Sequence, residues 1–214
     1  ALHVARRQGL EIVALLSTLN AEFRRVAMHG VREELLDAQA EALGLPLVKV
    51  PLPWPCPNDA YERAMSEAVQ QARSEGIEQI IFGDLFLEDI RKYREEKLAA
   101  TGITPLFPIW GLDTAALARD MVGSGLRAHL TCVDPKKLSP GFAGRTFDSQ
   151  LLEDLPEGVD PCGENGEFHT FAVDGPMFGQ PVEVRVGEVV ERDGFVYADL
   201  LERRSQKSGA RRQN

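Results

Sequence analysis

Cysteine is scarce in this 214-residue chain: Cys56, Cys132 and Cys162 are the only three, and no two of them form a Cys-x-x-Cys pair. An odd, widely spaced set excludes a complete disulfide framework and a zinc site built on paired cysteines, and it is expected of a protein of the reducing cytoplasm. Long apolar runs are lacking too. None approaches the roughly 20 residues that a membrane helix needs, and no charged start leads into an apolar stretch with a small-residue cleavage site. Neither a membrane partner nor secretion is therefore expected. Positive charge is in deficit: 24 Lys and Arg against 33 Asp and Glu leave a net charge of −9. General nucleic-acid binding needs a basic face to meet phosphates, so it is not expected either. Internal repeats are absent, and composition is biased only in the basic tail from Arg203 to Asn214, which is expected to be a disordered, solvated terminus.

With 43% apolar and 27% charged residues the chain has an ordinary globular composition and can bury a core. Its first two-thirds alternates strand and helix signals. Glu11–Leu19, Pro46–Leu52, Ile80–Phe82, Thr104–Trp110 and Arg127–Val133 are short apolar runs of strand length. Between them lie amphipathic helix patterns over Val31–Leu43, from Asp59 to Gly76, over Leu87–Ala100 and over Thr114–Val122. Gly44 and Gly76 end two of these, and Asp59 and Asp113 stand where caps are expected. Strands separated by helices of this length imply parallel pairing, so the expected fold is α/β, a Rossmann-like doubly wound sheet. Beyond Asp134 the texture changes. Pro135–Asp148 is loop-rich, Gln150–Leu155 reads as a short helix, and Gly158–Gly179 is dense in glycine and polar residues. The alternating Val182, Val184 and Val186 with Phe195, Tyr197 and Asp199 across Arg192-Asp193-Gly194 read as an antiparallel hairpin. The expected organisation is an α/β unit over 1–134, a smaller α+β unit over 135–202 and the tail over 203–214. Ala1–Arg7 already reads as an uncapped helix, so the sequence is expected to open within an element.

In open parallel sheets ligands bind where strands end, and three loops carry polar residues there. The first runs from Ser17 and Asn20 to Met28-His29-Gly30 before a helix. A glycine before a helix N-terminus suits an anion, and His29 could hold phosphate, move a proton or simply face solvent. The second, Gly83-Asp84, lets a ligand approach the backbone. Its carboxylate could take Mg²⁺ or a ribose hydroxyl, or cap the next helix. Arg94 on that helix could reach a phosphate or belong to a charged face. The third is the Cys132–Asp134 turn. Most distinctive is Cys162-Gly163-Glu164-Asn165-Gly166-Glu167-Phe168-His169-Thr170-Phe171. Two carboxylates, an imidazole and a thiol among glycines are hard to explain as packing, and they suit metal binding or acid–base work on an amine. Cys132 and Cys162 could form a nucleophile or redox pair, or be buried and inert.

Ser17-Thr18-x-Asn20, Met28-His29-Gly30, the helix through Glu33-Glu34-Leu35-Leu36, Gly83-Asp84 and the Cys162–Phe171 run together resemble the diphthine–ammonia ligase family. That family falls in the wider class of adenine nucleotide α-hydrolases and N-type ATP pyrophosphatases, and the resemblance extends from Ala1 to about Phe178. It implies an adenylating ligase. ATP and Mg²⁺ bind at the sheet end, a substrate carboxylate attacks the α-phosphate, pyrophosphate leaves, and ammonia displaces AMP to give an amide. Glu164, Glu167 and His169 are the candidate catalytic groups. Ser17, Asn20, Met28, His29, Gly30, Gly83, Asp84 and Arg94 are the candidate nucleotide contacts, with Asp84 also the candidate metal ligand. Cys132, Cys162, Gly163, Asn165, Gly166 and Thr170 are the candidate acceptor contacts.

Two departures from the family pattern shape the expectation. Its Ser-Gly-Gly-Lys-Asp-Ser phosphate loop and the strand before it are not in these 214 residues, so little ATP turnover is expected of residues 1–214 alone and an incomplete chain is expected. His169 stands where a carboxylate is expected in archaeal and eukaryotic relatives, which resembles a bacterial-type branch and leaves the acceptor carboxylate open. The alternative reading is a non-catalytic ATP- or AMP-binding regulator of the same fold. A thiol hydrolase using Cys132 or Cys162 is a third. A homodimer is compatible with any of them.

Overall fold

The computed structural model describes residues 1–203. The basic tail beyond Arg203 lies outside the described residues. The N-terminal part begins with α1 (Leu2–Arg7), β1 (Leu15–Asn20) and the short β2 (Arg25–Val26). Helix α2 (Glu33–Leu43) and strand β3 (Leu47–Leu52) follow. Gly44 closes α2 in the left-handed region at φ 66°, a conformation that costs glycine little. β1 and β3 pair in parallel from Leu15↔Leu47 to Asn20↔Leu52, and β2 turns back antiparallel against the last two residues of β1.

A second parallel pair comes next: α3 (Asn58–Ser74), β4 (Gln79–Ile81), α4 (Glu88–Leu98) and β5 (Thr104–Leu106), with Gln79↔Thr104 to Ile81↔Leu106 in register. Val69, Leu98 and Ile103 are buried together beneath Ile80 and Phe82. Asp59 does not cap α3. Pro57 precedes the helix and makes no side-chain cap, while the Asp59 carboxylate takes a hydrogen bond from Arg63 at 2.8 Å. The i, i+4 guanidinium outcompetes backbone N–H groups for an exposed carboxylate.

The chain then builds a four-stranded antiparallel sheet. It comprises α5 (Thr114–Gly123), β6 (Arg127–Val133), α6 (Ser149–Asp154), β7 (Phe168–Asp174), β8 (Val184–Arg192) and β9 (Phe195–Glu202), in the order β7-β6-β9-β8. Asp113 and Asp148 cap α5 and α6 by accepting from Ala116 N and Leu151 N, 2.7 and 2.8 Å. The β8–β9 turn is Asp193-Gly194, both at positive φ, the pattern of a tight hairpin turn that follows the strand twist.

This sheet is buried on both faces. On one, Ala118 of α5, Leu151 of α6 and Phe147 pack with Ala128, Leu130, Val133 and Phe168. On the other, Val31, Leu35 and Ala42 from the α2 region meet Phe171, Val173 and Leu200. Removing a side chain such as Leu35, which is fully buried, would cost about 2–5 kcal/mol.

One expectation is corrected here. β6 does not extend a parallel sheet; it runs antiparallel to both β7 and β9. An apolar run covered on both faces carries no signal of strand direction. Within the glycine-rich Gly158–Gly179 stretch, Phe168–Asp174 is strand β7, where buried Phe168, Phe171 and Val173 override the polar residues between them. The parallel strands form two ladders, β1–β3 and β4–β5, among the described residues. The architecture shown is thus mixed α/β, with parallel and antiparallel sheets. No helix among the described residues is long and apolar enough to cross a membrane.

Candidate active site

The Asp160–Glu167 loop, entering β7, folds into a cage of acidic side chains. Gly163 and Gly166 sit at φ 72° and 78°, and a Cβ on Gly163 would stand 2.6 Å from the Phe168 carbonyl oxygen. Glycine is required there by both conformation and space. Asp160, itself buried, accepts from Glu164 N at 2.8 Å. Glu167 is 3% exposed, and its Oε1 accepts from Asp160 N (3.0 Å) and Asn165 Nδ2 (3.1 Å). Its Oε2 is buried and has no hydrogen-bond partner among the described residues. Lys137 closes the loop from outside by donating to Asn165 O at 2.6 Å.

Glu164 reaches across to the end of β4. Its Oε1 accepts from Leu85 N at 2.7 Å, which ties the loop to the Gly83-Asp84 segment. Burial pushes the Glu164 carboxyl above its ordinary range, opposed by the Leu85 and Phe86 amides and reinforced by the nearby Asp84 and Asp160 charges. A carboxyl raised in this way is suited to proton transfer. Asp84 and Arg94, both nucleotide candidates, form a two-pronged pair instead: Arg94 Nε donates to Oδ2 at 2.7 Å and Nη2 to Oδ1 at 3.1 Å. Both Asp84 oxygens thereby accept from the guanidinium. Among the described residues no group of three or more His, Cys, Asp or Glu is placed to hold a metal ion.

The Ala27–Gly30 turn meets β7 and β9 from the other side. Met28 and Gly30 take positive φ, and the Tyr197 ring lies so close to Gly30 that a Cβ there would come within 2.7 Å of it. This geometry sets the His29 ring 4.6 Å from that of His169, tilted by 35°. Burial holds His29 below its ordinary value, opposed by a bond to the Thr170 backbone. Burial also drives His169 down to about 4, with His29 adding to the effect. Both rings are neutral at pH 7, so they can accept a proton or share one as a hydrogen bond. The turn is locked by Asp199, which accepts from Arg25 Nη1 (2.9 Å) and from Arg32 Nη2 (2.6 Å), while Arg25 also donates to Gly30 O (2.6 Å).

The remaining candidates divide. Asn20 serves its own turn, its Oδ1 accepting from Glu22 N and Phe23 N, each at 3.0 Å. Ser17 lies within β1, in register with Lys49. Met28 is exposed, whereas Thr170 is half-buried on β7 opposite Leu130. Cys132 is buried opposite His169 and Tyr197, and burial pushes its thiol up to about 11. The Cys162 thiol donates to Thr114 O at 3.4 Å, and burial pushes it up to about 12. Neither thiol offers a thiolate at neutral pH, which removes the ground for a thiol hydrolase. Sequence reasoning missed Asp160, Lys137 and the role of Arg25, Arg32 and Asp199. The partners of Lys137 and Asp199 lie 28 and up to 174 residues away, beyond any local spacing, whereas those of Asp160 lie four and seven residues on, within the same loop.

The C-terminal run therefore links the Ala27–Gly30 turn after β2 and the Gly83–Phe86 segment after β4 through His169 and Glu164. Residues 113–203, which contain α5 and the whole antiparallel sheet, match the family model described as Diphthamide synthase C-terminal domain. The diphthine–ammonia ligase of Danio rerio is 30% identical over 185 residues, covering 79% of this chain and 72% of that protein. Those of Homo sapiens and Bos taurus are each 28% identical over 220 residues, covering 90% of this chain and 80% of theirs. The chain belongs to the diphthine–ammonia ligase family.

Proposed function

We propose that this protein is an ATP-dependent, AMP-forming amide ligase that joins ammonia to a carboxylate. The observation that carries the reading is the Glu164 bridge to Leu85 N. It holds an acid–base loop against the strand end at which a nucleotide would bind, so that activation and amide formation share one place.

In this reading the acceptor carboxylate attacks the α-phosphorus of ATP and pyrophosphate departs; Mg²⁺ bound to the triphosphate would neutralise its charge. Ammonium gives one proton to a carboxylate of the loop. The nitrogen lone pair then forms the C–N bond as the bond from the acyl carbon to AMP breaks. Glu164 and Glu167 are assigned to the proton and to orienting the amine. His169 and His29, neutral and stacked, are assigned to the acyl-adenylate oxygens. Asp84 acts through Arg94, which it aims. The nucleotide falls to residues 1–134, along the Ser17–Gly30 and Gly83–Arg94 loops, and the acid–base work to residues 135–202, drawing Cys132, Cys162, Gly163, Asn165, Gly166 and Thr170 around the acceptor.

Among the described residues, Leu15–Thr18 of β1 have no strand partner on the side where β2 pairs, and β4 pairs with β5 alone. Those edges support a doubly wound sheet completed by one more strand carrying the family's glycine–lysine phosphate loop. His169 in place of a carboxylate supports a bacterial-type branch whose acceptor resembles diphthine in being a carboxylate. A cytoplasmic protein fits the three free thiols.

The Asp84–Arg94 pair favours the second reading, a nucleotide-binding regulator, because it leaves both groups satisfied without a ligand. The test is Glu164→Gln: ATP binding retained with AMP formation reduced at least about a hundred-fold supports the ligase, and unchanged AMP formation rejects this assignment.

A further inference from the structure

Among the described residues two buried side-chain atoms have no hydrogen-bond partner, His129 Nδ1 and Glu167 Oε2, and the second belongs to a carboxylate already assigned to the amine. Glu167 is 3% exposed and its Oε1 is fully used by Asp160 N and Asn165 Nδ2, yet Oε2, equally buried, has no partner. A buried carboxylate oxygen with nothing donating to it is costly, and native structures keep few of them. Glu167 also lines a cavity of about 360 Å³, open to the surface between the Pro156–Val159 turn, Lys137 and Asn165. The lysine does not answer the carboxylate. Its Nζ is committed to Asn165 O at 2.6 Å and stands 3.8 Å from Asp134 Oδ2. With Glu157 at the exposed rim, the cavity carries two carboxylates against one lysine that is already engaged.

We infer that this cavity is the ammonium entry site, and that Glu167 Oε2 receives the cation. The inference rests on the ligase reading and deepens it by giving the amine its own door, separate from the Gly83 strand end. The ligand must be small, cationic and rich in N–H donors, because the unpartnered group is a single buried acceptor oxygen. An ammonium ion fills only a small part of 360 Å³, so the rest serves as a vestibule. Once seated, the ion transfers one proton to the Glu167 carboxylate and leaves as neutral ammonia, whose lone pair forms the new C–N bond while AMP departs.

Amide spectra of this chain, titrated with ammonium chloride against tetramethylammonium chloride at constant ionic strength and without ATP, test this. Asp160 N–H and the Asn165 side-chain amide both donate to Glu167 and act as reporters. Saturable shifts at both with ammonium but not with tetramethylammonium are expected, with half-saturation raised about ten-fold or more in Glu167→Gln. Should Glu167→Gln fold poorly, Glu157→Trp at the exposed rim is expected to raise half-saturation while leaving the cage intact. Linear, salt-independent shifts would overturn the inference, as would an identical response to potassium or half-saturation unchanged in either variant. AMP formation is assayed separately with the family's phosphate loop supplied: its absence with intact ammonium shifts rejects the ligase reading alone, and its presence with no ammonium shifts rejects the cavity alone.

Discussion

Lowering the pH from 7 to 5 should weaken this fold through His169. In the folded chain burial, aided by His29, holds the imidazole at about 4, against an ordinary value of 6.5 for the unfolded chain. Between those two values the unfolded chain binds a proton that the folded chain refuses, so stability is full above about pH 6.5 and falls as the pH drops towards 4. Integrating that difference from pH 7 to pH 5 gives a loss of about 2 kcal/mol from His169 alone. His29 shifts in the same direction and adds to it. The assay is urea unfolding at the two pH values, for the native chain and for His169→Gln. Above pH 5 most carboxylates remain ionised and cancel in the comparison. The native chain should lose about 2 kcal/mol more than the variant. Equal losses would show that the His169 ring is not buried against His29, and the geometry of the Met28–Gly30 turn would fall with it.

Gly163→Ala should destabilise the protein by at least about 2 kcal/mol, since it combines a left-handed conformation with a backbone clash. Thermal unfolding reads this directly, and a neutral result would mean the cage is not built as described. Iodoacetamide at pH 8 should modify Cys56 while Cys132 and Cys162 stay unlabelled on the same timescale, because burial leaves those two roughly one thiolate in a thousand or fewer. Rapid labelling of Cys132, located by peptide mapping, would reopen a thiol-based role.

The elements were legible where the pattern was local. The Gly44 helix end, the Asp113 cap, the Asp193-Gly194 hairpin and the Arg127–Val133 strand all follow from a few adjacent residues. What could not be read was who pairs with whom. Strand β6 looks alike in parallel and antiparallel company, and β7 hides its strand character behind a glycine-rich approach and interposed polar residues. The site shows the same division. The Cys162–Phe171 run announced chemistry by composition, whereas Lys137 and Asp199 gained meaning only through partners distant in sequence. Asp84 is instructive: a carboxylate after a strand-end glycine suggested a metal or ribose, but its nearest charge proved to be Arg94, ten residues on.

Product analysis with labelled ATP, Mg²⁺ and ammonium tests the central claim most directly. It calls for the phosphate loop of the family supplied ahead of Ala1, and for diphthine and simple carboxylates offered as acceptors. AMP and pyrophosphate in equal amounts, dependent on ammonium and lost in Glu167→Gln, is the result expected. ADP and phosphate as products, or AMP formation indifferent to Glu167, would contradict it.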